Sequence, residues 1–144
     1  MTNKKFESFS KKEQLAMKNR AKELLAESKA GKKREAVEKI LLDAIAEMKG
    51  ADKEIATKLH EIMSKHAPEL WPKTWYGFPA YTKNDKVVCF FQFAGKFDSR
   101  YGTLGFNDTA KLDQGNMWPT AFAITKIGAE EEKKIIELVK KAIS

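Results

Sequence analysis

Cysteine and long apolar runs are the scarcest features of this sequence. The single cysteine, Cys89, cannot form a disulfide within the chain, and its position in a predicted strand favours a buried, inert thiol over a nucleophile. No apolar run approaches the roughly 20 residues that a membrane-spanning helix needs. The N-terminal residues lack the apolar core of a signal peptide. We therefore expect a cytoplasmic protein without a membrane partner.

Motifs that define a catalytic site are also missing. The sequence has no P-loop, no dinucleotide-binding fingerprint and no nucleophile elbow. Its two histidines, His60 and His66, are six residues apart in a predicted helix and do not share one face. This spacing favours structural or solvent-facing histidines over a metal site. The sequence therefore predicts no catalytic residue and no cofactor, and no motif gives positive support for an enzyme.

Charge is distributed unevenly along the chain. The protein of 144 residues has a net charge of +7, and residues 1–34 account for all of it, so that the remaining residues sum to zero. Any electrostatic attraction to nucleic acid or to an anionic surface should therefore belong to this N-terminal arm. We predict two parts, a basic helical arm over residues 1–34 and a folded domain over residues 35–144.

The arm contains one clear helix signal. Ser10 followed by Glu13 forms a capping box, and a narrow apolar stripe predicts a helix over residues 11–28. One interpretation is a helix that docks through this stripe and leaves its lysines in solvent. The other is a surface for nucleic acid, although no sequence-reading module is present. The residues that would then contact nucleic acid are Lys11, Lys12, Lys18, Arg20, Lys22, Lys32, Lys33 and Arg34.

Aromatic residues are concentrated between positions 71 and 106. This aromatic segment holds two of the three tryptophans, all three tyrosines and six of the nine phenylalanines. The β-branched and aromatic residues over 86–94 follow a polar cluster, which predicts a strand of a hairpin. Residues 75–81 predict a first partner strand or a structured loop, residues 100–106 predict the next strand, and residues 120–125 predict a last one. Pro79 would place the first strand at an edge or at a bulge, because proline cannot donate to the ladder.

Apolar residues recur at helical spacing on both sides of the aromatic segment. They predict helices over residues 35–48, 52–65 and 129–143, and Asp52 is expected to cap the second of these. Within the strand over 86–94, alternation would place Cys89 on one face and both Val88 and Phe90 on the other. The fold class expected is α+β, with a small antiparallel sheet and helices packed on one face, preceded by a helical N-terminal extension.

Several pieces of the aromatic segment resemble a known family. YGFPAY at 76–81, KVVCFF at 86–91 and RYGTLGF at 100–106, with a later WPTAFA at 118–123, resemble the YdhG-like family, domain-of-unknown-function family 1801. The resemblance covers roughly residues 53–144. It implies a small α+β domain of frataxin-like general shape and no catalytic residues. Some members of that family are regarded as iron chaperones, and the basic arm is a departure from the family pattern.

The aromatic segment is also the best candidate for a binding site. Aromatic walls with a few placed cations suit a small anion or a planar ligand. The competing interpretation is that these aromatics form the core of the sheet, with their polar tips bonded locally. The candidate ligand-binding residues are Trp75, Tyr76, Tyr81, Lys96, Arg100 and Tyr101.

Three functional hypotheses follow. The first is a non-enzymatic domain that binds a small ligand or a protein partner through the aromatic segment. The second comes from the family resemblance and is an iron-handling protein, which needs hard carboxylate ligands, with Asp43 and Glu47 as the candidates. The third is a nucleic-acid-associated protein that acts through the basic arm, with binding that weakens steeply with salt.

Overall fold

The computed structural model describes residues 11, 14 and 33–144. The chain divides into two compact units, Met1–Ala36 and Val37–Ser144. Lys11 and Gln14 are helical. The other residues of the helix predicted over 11–28 lie outside the described residues, as do Lys12, Lys18, Arg20, Lys22 and Lys32 of the predicted nucleic-acid surface.

Residues 33–144 form a five-stranded antiparallel sheet and three α-helices. The strands are β1 (Trp71–Trp75), β2 (Phe78–Lys83), β3 (Lys86–Gln92), β4 (Gly102–Phe106) and β5 (Ala121–Ile124). The helices are α1 over residues 33–47, α2 (Gly50–His66) and α3 (Ala129–Ala142). The strands are ordered β1-β2-β3-β4-β5, so each pairs with its neighbour in sequence. This arrangement confirms the predicted α+β class.

The helices share one hydrophobic core with one face of the sheet. Leu41 of α1, Leu59 of α2 and Val139 of α3 are at most 1% exposed. The sheet contributes Tyr81, Val88, Cys89, Phe91, Leu104, Phe106 and Ile124 to the same cluster. Each fully buried side chain of this size contributes about 1.5–3 kcal/mol relative to exposure. The opposite side of the sheet, called here the open face, bears the side chains that alternate with these.

Both hairpins at the start of the sheet close through two-residue turns. Asn84 and Asp85 have φ values of 53° and 62° and connect the paired residues Lys83 and Lys86, so the hairpin predicted there is confirmed. A second turn, at Tyr76 and Gly77, lies inside residues 75–81, for which the sequence predicts a strand or a structured loop, and the strand alternative is wrong. The chain instead reverses after Trp75, which gives β1 and β2.

Pro79 lies neither on an edge strand nor at the bulge, and Val88 lies on the face that alternation does not predict. Pro79 pairs with β1, whereas the pairing of β2 with β3 begins one residue later, at Ala80, so proline removes no bond from that ladder. The register between β2 and β3 shifts after Tyr81 and skips Val88. An extra residue of this kind reverses the side on which the following side chain lies. Val88 is therefore in the core with Cys89, and its predicted place beside Phe90 is wrong.

Asp52 lies in the first turn of α2 but does not cap that helix. The N-cap position is Lys49, which makes no capping hydrogen bond through its side chain. The Asp52 carboxylate instead accepts hydrogen bonds from the backbone amides of Ala94 and Gly95, each at 3.0 Å. These amides open a short 3₁₀ helix, Ala94–Lys96. The predicted cap is therefore a contact between α2 and the loop that follows β3.

Candidate functional site

The turn between β1 and β2 presents an exposed aromatic side chain. Tyr76 and Gly77 are its two central residues, and their φ values are 50° and 83°. Two consecutive residues of positive φ are typical of a type I′ turn, in which asparagine and glycine are the favoured residues. A bulky aromatic residue is uncommon in this left-handed region. The Tyr76 side chain is nevertheless held there with 74% of the residue exposed.

Tyr76 belongs to a set of aromatic side chains in contact with one another. The Trp75 ring centroid lies 5.1 Å from that of Tyr76, 5.7 Å from Phe78 and 5.3 Å from Phe90. Phe78 also contacts Tyr76 at 6.5 Å and Phe90 at 5.6 Å. Tilted and edge-on pairs at these distances are favourable ring arrangements. Phe78 is 5% exposed, so this ring supports the exposed Tyr76 from beneath.

The Phe90 ring packs against the backbone of β4 at a glycine, Gly105. Phe90 pairs with Ala80 on one side and with Gly105 on the other, and Gly105 pairs with Ala121 of β5. A Cβ atom at Gly105 would come within 2.2 Å of the Phe90 ring. Ala121 and Ala123 are exposed. The open face therefore carries small residues, Gly105, Ala121 and Ala123, beside the aromatic cluster.

Lys96 and Phe97 extend this cluster from the loop after β3. The Lys96 ammonium lies 6.0 Å from the Phe78 ring centroid and 5.7 Å from that of Phe97. Phe97 is 58% exposed. Cations at this distance from a ring face are attracted by its quadrupole. We define the aromatic patch as Trp75, Tyr76, Phe78, Phe90, Lys96 and Phe97.

Arg100 and Tyr101 form a pair of their own. The Arg100 guanidinium carbon lies 5.3 Å from the Tyr101 ring centroid, and Tyr101 is 38% exposed. Within residues 33–144, no aromatic or cation–ring contact joins this pair to the patch. Of the six predicted ligand-binding residues, the structure thus brings together Trp75, Tyr76 and Lys96.

Tyr81, another predicted ligand-binding residue, faces the helices instead. It is 2% exposed and belongs to the hydrophobic core. Its hydroxyl lies 3.0 Å from Nδ1 of His60, and Nε2 of His60 lies 3.1 Å from Oε1 of Glu38. A neutral imidazole protonated on Nε2 satisfies both contacts, because Tyr81 donates to Nδ1 and Nε2 donates to Glu38. Tyr81 therefore shares no surface with the aromatic patch.

The environment of Tyr81 keeps its hydroxyl protonated. Burial, the neighbouring thiol of Cys89 and the Glu38 carboxylate together raise the pKa of Tyr81 far above its usual range. Because the side chain is buried and paired, the Glu38–His60–Tyr81 chain connects α1, α2 and β2 as a structural element. Sequence reasoning favoured a structural or solvent-facing His60 over a metal ligand but did not find its partners, which are 22 and 21 residues away.

Cys89 is fully buried in the core, as the sequence predicts. Removal from water disfavours the thiolate and raises the pKa of the Cys89 thiol to about 12. The thiolate is the reactive form of a cysteine, and at neutral pH Cys89 is almost entirely in its thiol form.

Of the residues in the two alternative hypotheses, the structure describes Asp43, Glu47, Lys11, Lys33 and Arg34. Asp43 and Glu47 are exposed on α1. Across the described residues, no group of three or more histidine, cysteine, aspartate or glutamate side chains could hold a metal ion. Lys11 and Lys33 are exposed and Arg34 is half-buried. The iron and basic-arm hypotheses stay predictions.

Comparison with known proteins adds no relative to this description. No family model, no curated protein and no solved structure matches the chain. The resemblance to the YdhG-like family accordingly stays a prediction. None of the helices described over residues 33–144 has an apolar stretch that could cross a bilayer.

Proposed function

We propose that this protein is a non-enzymatic binding module whose ligand-contact surface is the aromatic patch. The observation that supports this proposal is the conformation of Tyr76, which is 74% exposed at a positive φ of 50°. Backbone strain at a bulky residue costs on the order of 1 kcal/mol, and such residues cluster at ligand sites. Asparagine or glycine at this turn position would avoid the cost, so the tyrosine side chain is best explained by a contact that it makes.

The side chains of the aromatic patch indicate the chemical class of ligand that it would bind. Tyr76 and Phe97 offer exposed ring faces, and the Lys96 ammonium lies beside the ring of Phe97. Ring faces bind flat or apolar groups, and a lysine binds an anion. A small planar anion, or a partner segment that combines an aromatic group with a negative charge, satisfies both requirements.

The variant Tyr76→Asn tests this proposal without damaging the fold. Asparagine suits the left-handed conformation of the turn, so thermal unfolding should occur at the same temperature or a higher one. The probe is anilinonaphthalene sulfonate, a planar aromatic anion with its own fluorescence. We expect one molecule to bind the wild-type protein, and we expect Tyr76→Asn and Lys96→Gln to weaken that binding.

A matched control is Met117→Asn, because Met117 is 90% exposed and lies outside the patch. Dye binding should be unchanged in this variant. Equal dye affinity in the wild-type protein and Tyr76→Asn would contradict the proposal, as would the absence of dye binding to the folded wild-type protein.

A further inference from the structure

The sheet is electropositive because of the residues that form it. The five strands contain three lysines, Lys73, Lys83 and Lys86, and no aspartate or glutamate. Over residues 71–106 the net charge is +3. The whole chain outside residues 1–34 is neutral. The aromatic segment holds five basic residues and two acidic ones, Asp85 and Asp98, and the acidic residues that balance the remaining charge lie outside it, so an anion is attracted to the segment itself.

The open face places one of these lysines in the same cross-strand row as Phe90. Lys73 pairs with Ala80, Ala80 with Phe90, and Phe90 with Gly105. Side chains of directly paired residues lie on the same face of a sheet. A positive charge therefore lies on the β1 side of the aromatic cluster, in addition to Lys96 on the loop side.

Lys96 contacts the exposed ring of Phe97 directly and is connected to the exposed ring of Tyr76 through the buried ring of Phe78. Tyr76 contacts Phe78 at 6.5 Å, Lys96 lies 6.0 Å from Phe78, and Phe97 lies 5.7 Å from Lys96. Tyr76 and Phe97 are the two strongly exposed rings of the set, at 74% and 58%. A single-stranded nucleic acid likewise has a charge connected to two rings, because one phosphate separates each pair of successive bases.

We propose that the aromatic patch binds single-stranded nucleic acid, with bases stacked on Tyr76 and Phe97 and the intervening phosphate on Lys96. This inference rests on the proposed function of the patch. Proteins that bind single strands combine a basic surface with aromatic side chains on which bases stack, and stacking needs base faces that a duplex does not expose. The net charge of +7 in residues 1–34 would add a sequence-independent attraction to the phosphates.

The experiment is a fluorescence-anisotropy titration of the full-length protein with labelled oligothymidylate of about ten nucleotides, a length within the range that single-strand sites cover. It is repeated at about 50 mM and about 200 mM salt. Tyr76→Asn and Phe97→Ser should each weaken binding about fivefold or more, because each removes one stacking surface. Lys96→Gln should reduce the slope of log affinity against log salt by about 0.7, the value for one lost phosphate contact.

Two control variants lie outside the patch. Met117→Asn removes an exposed apolar side chain, and Lys65→Gln removes an exposed lysine of α2. Both should bind the oligonucleotide as tightly as the wild-type protein does. The duplex of oligothymidylate with oligoadenylate should bind more weakly than the single strand.

Four results would overturn the inference, and three of them concern oligonucleotide binding itself: no binding at the lower salt concentration, equal affinity for the duplex, or binding that Tyr76→Asn and Phe97→Ser leave unchanged. The last result would assign the binding to charge alone. Displacement of the oligonucleotide by polyglutamate at equal charge concentration would also overturn it, in favour of an acidic protein partner. If Tyr76→Asn abolishes binding of the aromatic sulfonate while no oligonucleotide binds, the proposed function stands and only this inference fails.

Discussion

The hydroxyl of Tyr81 lies 3.0 Å from Nδ1 of His60, on the face of the sheet opposite to Trp75 and Tyr76. The rings of Tyr81 and His60 are also stacked, with centroids 6.0 Å apart. The aromatic residues of β1, β2 and the turn between them therefore divide into two groups with different roles. One set of aromatics belongs to the open face, and Tyr81 anchors the sheet to α2.

Replacement of Tyr81 by phenylalanine tests this anchor. The variant keeps the ring but leaves the half-buried Nδ1 of His60 without its partner, so the free energy of unfolding should fall by about 1–3 kcal/mol. Urea denaturation monitored by circular dichroism measures the change. Tyr101→Phe is the control, because Tyr101 is exposed and should lose less than about 0.5 kcal/mol. Equal stability of Tyr81→Phe and the wild-type protein would show that the hydrogen bond contributes nothing.

The Cys89 thiol should be unreactive in the folded protein. It is 0% exposed, and its raised pKa leaves almost no thiolate at pH values near 8. An aromatic disulfide reagent should therefore modify the thiol only as fast as the protein unfolds, and denaturant should accelerate the reaction by orders of magnitude. Rapid stoichiometric modification of the native protein would contradict the burial of this side chain.

Stability should decrease in alkaline solution. The pKa of Cys89 rises from an ordinary value of 9.0 to about 12 in the folded protein. A folded-state pKa above the unfolded one gives stability that is present below pH 9 and lost as pH rises toward 12, by up to about 1.4 kcal/mol per pH unit. The raised pKa of Tyr81 adds a loss of the same sign above pH 10.

The variant Cys89→Ala separates these two contributions. It lacks the ionisable thiol, so its free energy of unfolding should depend less steeply on pH between 9 and 12 than that of the wild-type protein. Denaturant titrations at several pH values measure both slopes. The same slope in both proteins would mean that the thiol does not contribute.

Asp52 should hold the loop that bears Lys96 and Phe97. Asp52→Ala removes the acceptor for the amides of Ala94 and Gly95, and hydrogen bonds to a charged group contribute about 1.5–3 kcal/mol. We expect faster amide exchange at these two residues and weaker binding of the aromatic sulfonate. Asp43→Ala, an exposed change on α1, is the matched control. Unchanged exchange at Ala94 and Gly95 would contradict this role.

The contact between Gly105 and Phe90 should be sensitive to a single methyl group. Gly105→Ala places a carbon within 2.2 Å of the present ring position, so the ring must move, at a cost of about 1–3 kcal/mol. Phe90→Leu shortens the opposing side chain. The double variant should therefore be more stable than the sum of the two single changes predicts, which urea denaturation can measure. Strict additivity would show that the two residues do not interact.

Local sequence patterns predicted much of the scaffold. The 3.6-residue spacing of apolar side chains located α1, α2 and α3 to within a few residues, because each helix buries one stripe in a common core. The polar cluster around Asn84 and Asp85 predicted its hairpin, since these residues tolerate the left-handed conformation that the turn requires. The burial of Cys89 followed from its place in an apolar strand.

Features that depend on register or on distant residues were not available from these patterns. Tyrosine is a poor indicator of a type I′ turn, so β1 was missed and residues 75–81 were predicted as one strand or a structured loop. The irregularity at Val88 depends on the pairing of β2 with β3, which local sequence patterns do not specify. Asp52 matched a capping pattern, but the helix begins two residues earlier, at Gly50, and the Asp52 carboxylate accepts hydrogen bonds from the amides of Ala94 and Gly95 instead.

The sequence by itself determined the α+β class, the basic arm and the concentration of aromatic residues between positions 71 and 106. These follow from composition and periodicity, which act over a few residues at a time. Only the tertiary structure decided which aromatics are exposed. Strand pairing placed Tyr81 with His60 in the core and left Tyr76 and Phe97 beside Lys96 on the surface. The face on which a strand residue lies changes with a single step of register, and register is set by contacts between residues far apart in the chain.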